Sequence, residues 1–304
     1  MCLYLFKIAA IAIHILTCIL IYQTTKRKKL TLLYGINPFL LFEMITNVHN
    51  DLYLIFFIML AIYFWKKRNN ILAAVFALAC ATVIKYVALL LVPFLLLYHF
   101  KSKTIPKKLL YSFLYGILYL GFIVLFYLIY IRDFNMISNI FMQQGKYRES
   151  IFVILVGIER QYHISYLLKT AQIIFMILFA FIYVKICMGL LLNKSKKITF
   201  QNIMRKYGVI IFLFVFFIIT NLCPWYTSWI FPCIVWLRGK TIKTWIYLQF
   251  SYELCIIYNF ALHSESYKIG YFYLFSIILF TMIFEKVERN QCKKQTSSCV
   301  VKLH

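Results

Sequence analysis

The stretch NPFLLFEMITNVHND, residues 37–51, places polar side chains between a cluster of basic residues and an apolar run. It contains two of the chain's 9 acidic residues, Glu43 and Asp51, together with His49 and Asn50. A carboxylate or an imidazole can accept a proton from a substrate hydroxyl, so this combination could support acid–base chemistry. The stretch therefore contains the first candidate catalytic residues of the chain.

Helical spacing puts Glu43 and Asn47 on one face, so we expect the polar groups to converge on a single external pocket. An alternative is that Asn50 or Asp51 only caps the helix that follows, as such residues often do. Capping would not explain Glu43, which lies in an apolar run where an ionisable group is costly. We therefore favour a functional role for the stretch.

A second candidate is Lys85, which follows fourteen apolar residues in ILAAVFALACATVIKYVALLLVPFLLL, residues 71–97. The simplest interpretation is a lysine that extends its charge to a membrane interface. At the tip of a re-entrant hairpin, Lys85 and the adjacent Tyr86 would instead meet a lipid phosphate, which lysine suits as a point charge. Pro93 in the second arm is tolerated if the freed backbone groups lie inside the protein.

A third candidate is NLCPWYTSWIFP, residues 221–232, in which Pro224 precedes Trp225 and Tyr226. An interfacial aromatic belt would explain both rings without any function. The short, proline-interrupted helix is harder to explain in that way, because such breaks usually line a cavity.

The composition assigns these motifs to a membrane protein. Hydrophobic residues make up 63% of the 304 residues and charged residues 14%, which is far from the balance of soluble domains. The net charge of +24 could indicate nucleic acid as a partner. The cations instead form short blocks at the ends of apolar runs, which is the signature of cytoplasmic loops. These blocks are Lys26 to Lys29, Lys66 to Arg68, Lys101 to Lys108, Lys194 to Lys197 and Lys293 to Lys294.

Placing the basic blocks in the cytoplasm predicts an all-α, polytopic membrane protein with about nine crossings and a re-entrant helical hairpin at 71–100. The predicted crossings are 2–23, 30–46, 52–65, 109–131, 167–192, 206–222, 225–238, 244–262 and 269–284. Residues 1–284 then form one transmembrane domain with an external loop at about 133–165, and 285–304 form a polar cytoplasmic tail. The amino terminus is expected outside the cell membrane and the carboxyl terminus inside.

Sequence signatures of other chemistries are absent. The chain has no HExxH metal motif, no glycine-rich phosphate loop before a helix and no GxSxG nucleophile motif. Its 9 cysteines include no CxxC pair. We therefore predict no metal and no required cofactor, and any activated donor has to arrive within the membrane.

Taken together, the motifs resemble a known family of membrane enzymes. The pattern is NP, then Glu, then NxHND, followed by a lysine with an aromatic neighbour and a later proline. CPWYTSWIFP is similar to a PWYxxWxxP stretch in the same enzymes. These are the GT-C class glycosyltransferases, in particular the polyprenyl-phosphate-mannose-dependent mannosyltransferases of glycosyltransferase family 87 and their relatives. The resemblance covers most of residues 5–240.

The resemblance implies transfer of a sugar, a hexose such as mannose, from a polyprenyl-phosphate donor. The acceptor would be a glycan or glycolipid on the external face, and the anomeric carbon would be inverted. The implied catalytic residues are Asp51, Glu43 and His49. The implied substrate-binding residues are Asn47, Asn50, Lys85, Tyr86, Trp225 and Tyr226. Membrane lipid is a further expected partner, and nucleic acid is not.

Enzymes of this family usually carry their catalytic aspartate in a first external loop, for which this sequence has no counterpart. We therefore expect missing amino-terminal material, in a partial reading frame, a truncated inactive relative or half of a split enzyme. Alternatively, Asp51 or Glu43 serves as the base. A transporter or flippase remains a competing class, because an intramembrane lysine, broken helices and buried acids also mark substrate pathways. A membrane scaffold is the third possibility.

Overall fold

The computed structural model describes residues 2–37, 40–130, 150–164, 166–192 and 198–236. In these ranges all regular structure is helical, apart from an isolated bridge at Asn221. Four helices are long and apolar enough to cross a bilayer. They are Tyr4–Thr25, Ile105–Ile129, Leu167–Leu192 and Phe200–Phe217. The predicted all-α membrane class is confirmed, while the predicted crossings 244–262 and 269–284 and the tail 285–304 lie outside the described residues.

Ten α-helices follow one another in the described part of the chain. They are α1 (Cys2–Thr25), α2 (Lys28–Gly35), α3 (Asp51–Lys67), α4 (Ile71–Ile84), α5 (Val92–His99), α6 (Ile105–Tyr130), α7 (Ile151–Tyr162), α8 (Leu167–Leu192), α9 (Phe200–Phe217) and α10 (Phe231–Ile234). Three segments wind differently: Leu41–Thr46 is a π-helix, and Tyr86–Leu91 and Pro224–Ile230 are 3-10 helices.

Helix α3 occupies the centre of the bundle, because it packs against α1, α4, α10 and the second 3-10 helix. Its buried residues include Leu54, Ile58 and Ile62, which are at most 1% exposed. Helices α6 and α8 instead leave most of their apolar side chains exposed, as expected for surfaces that contact lipid. The core therefore lies around α3, with α6 and α8 at the periphery.

The two ends of α3 define the two ends of the bundle. Lys66, near the last residue of α3, lies beside the rings of Phe200 and Trp236. We call this the basic end. The opposite end, which contains Asp51 and Lys85, is called the site end.

The structure contains the predicted hairpin, with Lys85 at its tip. Helix α4 runs back along α3, and the backbone is extended at Lys85, with φ −149° and ψ 123°. The second arm returns to the basic end, where Trp65 Nε1 donates a 2.9 Å hydrogen bond to His99 Nδ1. The predicted hairpin, 71–100, is helical in both arms, and its second arm consists of a 3-10 helix followed by α5. The two arms of the hairpin thus begin and end at the basic end, and Lys85 at the tip lies at the level of Asp51.

The predicted crossing 30–46 is not one continuous helix. Helix α2 ends at Gly35, Ile36 and Asn37 are not helical, and helical backbone is present again at Leu40, before the π-helix Leu41–Thr46. The Asn37–Pro38 step explains the interruption, because proline disfavours helical backbone at the residue before it and lacks an N–H. Gly35 also packs closely on α1: its carbonyl lies 3.2 Å from His14 Nε2, and an added Cβ would lie 3.2 Å from Cys18 Sγ.

The structure adds helix bounds to two other predicted segments. The segment predicted as an external loop, about 133–165, contains α7 in its described part, and residues 131–149 and 165 lie outside the described residues. The crossing predicted at 206–222 begins earlier, as α9 at Phe200, because Thr199 caps the helix by accepting a 3.3 Å hydrogen bond from Asn202 N–H.

Lys108 ties α6 to the carboxyl end of α8. Its ammonium donates hydrogen bonds to the carbonyls of Leu190 (3.3 Å) and Leu191 (2.8 Å), and the residue is 1% exposed. Carbonyls in the last turn of a helix have no partner within the helix, and a cation there is favourable.

We predict that Lys108→Met lowers the free energy of unfolding by about 1–3 kcal/mol. Thermal unfolding of the detergent-purified protein measures this. Lys107→Met, at an exposed neighbour, is the control, and equal midpoints for the two variants would contradict the prediction.

Candidate active site

The polar turn before α3 has an unusual backbone. Glu43 lies within the π-helix, and its carbonyl accepts a 3.3 Å hydrogen bond from His49 N–H. π-Helical turns are rare in proteins, and those that occur often lie at functional sites. Val48 has φ 53°, which is strained for a β-branched residue and costs about 1–3 kcal/mol. The surrounding structure must hold this turn in place, and the result is that Asn47 and His49 both face Glu43.

The first polar pair of the site is Glu43 with His49. Glu43 Oε2 lies 3.2 Å from His49 Nε2, and Asn47 Nδ2 donates to the same oxygen at 3.2 Å. The predicted proximity of Glu43 and Asn47 is therefore present. The side chain of His49 is 26% exposed and that of Glu43 only 10%. A carboxylate is thus held behind an imidazole that solvent can reach.

The second polar pair is Asp51 with Lys85. Lys85 Nζ lies 3.7 Å from Asp51 Oδ2, and Trp229 Nε1 donates to the other oxygen, Oδ1. The Asp51 side chain is fully buried and that of Lys85 is 20% exposed. Because both carboxylate oxygens face partners from elsewhere in the chain, capping of α3 does not account for Asp51. The Asn50 side chain makes no capping hydrogen bond either.

Burial is the main electrostatic influence on Asp51, which precedes the apolar run of α3. It raises the pKa of the Asp51 carboxyl, because a charged carboxylate is poorly solvated there. Lys85 and the Trp229 N–H lower this pKa and so offset part of the shift. Ionised Asp51 therefore depends on both partners.

The segment Pro224–Ile230 supplies an aromatic floor under both pairs, formed by Trp225, Tyr226 and Trp229. The Trp225 ring stacks on His49 with centroids 3.8 Å apart and planes at 21°. The Lys85 ammonium lies 4.9 Å from the Tyr226 centroid and 5.7 Å from that of Trp229. Cations at such distances are attracted to the faces of aromatic rings. His49 and Lys85, one from each polar pair, thus contact consecutive aromatic residues, Trp225 and Tyr226.

The remaining predicted residues lie at the margin of this cluster. Asn50 is exposed, and Tyr86 is 59% exposed with its ring against Phe214 at 6.0 Å. The structure brings together seven of the nine predicted residues, namely Glu43, Asn47, His49, Asp51, Lys85, Trp225 and Tyr226.

Trp229 is the site residue that was not predicted from the sequence. It is 2% exposed and donates to Asp51, 178 positions earlier in the chain. The signal that could have identified it was its spacing: a third aromatic residue three positions after Tyr226 in PWYTSW. On its own this spacing did not distinguish an anchor for a carboxylate from an interfacial ring.

Comparison with known proteins gives a family match for the first third of the chain. Residues 1–101 match the family described as alpha-(1->6)-mannopyranosyltransferase, N-terminal domain. The matched segment includes Glu43, His49, Asp51 and Lys85 but not the aromatic floor. No curated protein and no solved structure matches the chain. The match supports a membrane glycosyltransferase of the GT-C mannosyltransferase kind, and it does not support the narrower assignment to family 87.

Proposed function

We propose that the chain transfers a hexose, such as mannose, from a polyprenyl-phosphate donor to a glycan or glycolipid acceptor on the external face of the cell membrane. One observation carries this proposal. Two accessible nitrogen groups, on His49 and Lys85, lie on neighbouring aromatic residues, and each is backed by a buried carboxylate. One pair suits deprotonation of an acceptor, and the other suits stabilisation of a leaving phosphate.

The reaction needs one bond to form and one to break. The acceptor hydroxyl oxygen bonds to the anomeric carbon of the sugar while the bond from that carbon to the phosphate oxygen breaks. The acceptor proton leaves to a base, and the electron pair of the broken bond remains on the polyprenyl phosphate. Because attack and departure occur on opposite faces of the sugar, the anomeric carbon is inverted.

His49 is the proposed base. Its Nε2 faces the Glu43 carboxylate and therefore carries the hydrogen, which leaves the lone pair on Nδ1. Nδ1 then takes the acceptor proton, and Glu43 stabilises the imidazolium that forms. Asn47 holds the carboxylate oxygen in place through its hydrogen bond.

Lys85 is the proposed phosphate ligand. Its ammonium has three N–H donors, and 20% of its side chain is accessible to a donor entering from the membrane. Asp51 is fully buried, so it is a positioning residue that orients Lys85 rather than a base that meets the acceptor. This differs from the expectation that Asp51 is itself catalytic.

The distribution of the cations supports the external side of the membrane. Basic residues concentrate at the basic end, and such residues are retained in the cytoplasm. The site end then faces outward, where the sugar of a lipid-linked donor would meet its acceptor. The mannopyranosyltransferase match over residues 1–101 supports mannose as the sugar.

We predict that Lys85→Ala lowers sugar transfer by about 100-fold or more, because a positioned charge on the leaving group is lost. The assay supplies membranes carrying the full chain with radiolabelled polyprenyl-phosphate-mannose and measures labelled product. Lys169→Ala is the matched control, since Lys169 is an exposed lysine on the first turn of α8. Activity of Lys85→Ala equal to that of the control would remove Lys85 from the mechanism.

The double variant Asp51→Asn/Lys85→Met separates folding from chemistry. Lys85→Ala alone leaves a buried carboxylate without its cation, which destabilises the fold. The double variant removes both charges and keeps similar side-chain volumes, so we expect near wild-type thermal unfolding and no transfer. Transfer by this variant would exclude the proposed role of the pair.

We also predict that Glu43→Gln lowers the turnover number by about 10²–10⁴-fold while the KM for the donor changes little, since the base acts on the acceptor. His49→Ala should lower turnover to a similar extent. Thr46→Ala, an exposed change in the same turn, is the control. A rise in donor KM without a fall in turnover would contradict the assignment of this pair.

A parallel measurement with reconstituted vesicles separates sugar transfer from transport of the donor. If the protein moves the donor across reconstituted vesicles but forms no product with any of several mannosyl acceptors, the transporter interpretation replaces the enzyme.

A further inference from the structure

A cavity lined in part by polar groups lies at the basic end of the bundle, away from the candidate active site. Its volume is about 300 Å³, and its walls come from four places in the chain: the end of α1 with the turn after it, the end of α3, the start of α9, and residues 235–236. Arg27 and Lys66 are the charged residues of the wall, and Thr24, Thr25, Thr199 and Gln201 contribute polar groups.

Among the residues that the structure describes, the charges around this cavity are all positive. The carboxylates in the described ranges, those of Glu43, Asp51 and Glu159, all lie toward the site end. Lys101 adds another cation near the cavity, because its ammonium donates a 2.9 Å hydrogen bond to the carbonyl of Ile198, next to Thr199. The described cations give the cavity a positive potential, which attracts anions.

Lys66 is held in place while still lacking an anionic partner in the described part of the chain. Its ammonium lies 3.8 Å from the ring centroid of Trp236 and 5.1 Å from that of Phe200. Burial and the adjacent Lys67 lower the pKa of Lys66, so a bound anion would favour its charged form. The aromatic contacts hold the Lys66 ammonium in position but do not neutralise its charge.

Two further groups in the wall can donate hydrogen bonds. Trp236 Nε1 is buried and has no hydrogen-bond partner among the described residues. An unpaired buried donor of this kind is unfavourable until an acceptor arrives. The first turn of α9, at Phe200 and Gln201, adds backbone N–H groups at the positive end of an 18-residue helix.

We propose that this cavity binds the phosphate group of an anionic headgroup. The pair of cations supplies the charge, and the indole N–H and the Thr199 hydroxyl, whose oxygen accepts from Asn202 N–H, supply hydrogen bonds to phosphate oxygens. Its volume is at the small end for ligand pockets, which leaves room for a phosphate and a few attached atoms. Basic pockets between transmembrane helices on the cytoplasmic side bind such headgroups. The site goes beyond the proposed sugar transfer and does not depend on it.

The test uses the full chain purified in detergent. It is titrated separately with inorganic phosphate, with dihexanoyl phosphatidylglycerol and with zwitterionic dihexanoyl phosphatidylcholine, and the rise of the thermal midpoint with concentration gives an apparent Kd. We expect phosphatidylglycerol to bind more tightly than phosphatidylcholine. Binding of inorganic phosphate as well identifies the free ion as a second source of the ligand. If neither phosphate nor phosphatidylglycerol raises the midpoint, the proposal is overturned.

A charge-matched pair of variants tests the location. Arg27→Gln/Lys66→Gln removes the cations of the cavity and should weaken phosphatidylglycerol binding by about tenfold or more. Lys28→Gln/Lys67→Gln removes the same net charge from the adjacent residues, which are not in the cavity wall, and should weaken it by less than about twofold. Equal losses in the two variants would mean that general surface charge, not the cavity, attracts the lipid.

A second pair avoids any loss of folding. Gln201→Glu places a carboxylate in the cavity wall at the start of α9, where a negative charge stabilises the helix. We expect weaker phosphatidylglycerol binding with an unchanged or higher midpoint in the absence of lipid. Asn202→Asp adds the same charge one residue later, outside the wall, and should have the smaller effect. Unchanged binding in Gln201→Glu would contradict the proposal.

Discussion

The buried carboxylate of Asp51 is the constraint around which the site end is organised. In an apolar bundle an isolated carboxylate is strongly unfavourable, so it has to be met by a cation and by hydrogen-bond donors. Lys85 provides the cation only because the hairpin carries it the length of α3, and Trp229 provides the donor only because the 224–236 segment returns beside α3. Three segments distant in sequence are thus fixed relative to one another by a single side chain.

The two polar pairs have the same construction and differ in their chemistry. In each, a carboxylate with little or no exposure supports a more exposed nitrogen group, which rests on an aromatic ring. An imidazole can accept a proton near neutral pH, whereas an ammonium donates hydrogen bonds and keeps its charge. In the proposed transfer, acid–base chemistry and charge stabilisation are therefore separated onto neighbouring groups.

The parts of this arrangement that depend on local sequence could be predicted. Apolar run lengths and the positions of the cations predict a helical membrane bundle, and the run that ends at Lys85 predicts the hairpin. The turn of Glu43, Asn47 and His49 follows from spacing along one segment. The contact of Trp229 with Asp51 could not be predicted, because periodicity carries no information about which distant segments meet. The π-helix at Leu41–Thr46 and the division of the second hairpin arm also follow from tertiary packing rather than from local pattern.

The 3-10 winding of Pro224–Ile230 has a geometric consequence for the aromatic floor. With three residues per turn, side chains three positions apart are eclipsed, whereas in an α-helix they are offset by about 60°. Tyr226 and Trp229 are such a pair, and their centroids are 4.3 Å apart. The tighter winding thus places the Tyr226 ring, which contacts the Lys85 ammonium, next to the Trp229 indole, which donates to the Asp51 carboxylate. If these seven residues relaxed into an α-helix, the two rings would diverge, and the Lys85–Asp51 pair would lose one of its two supports.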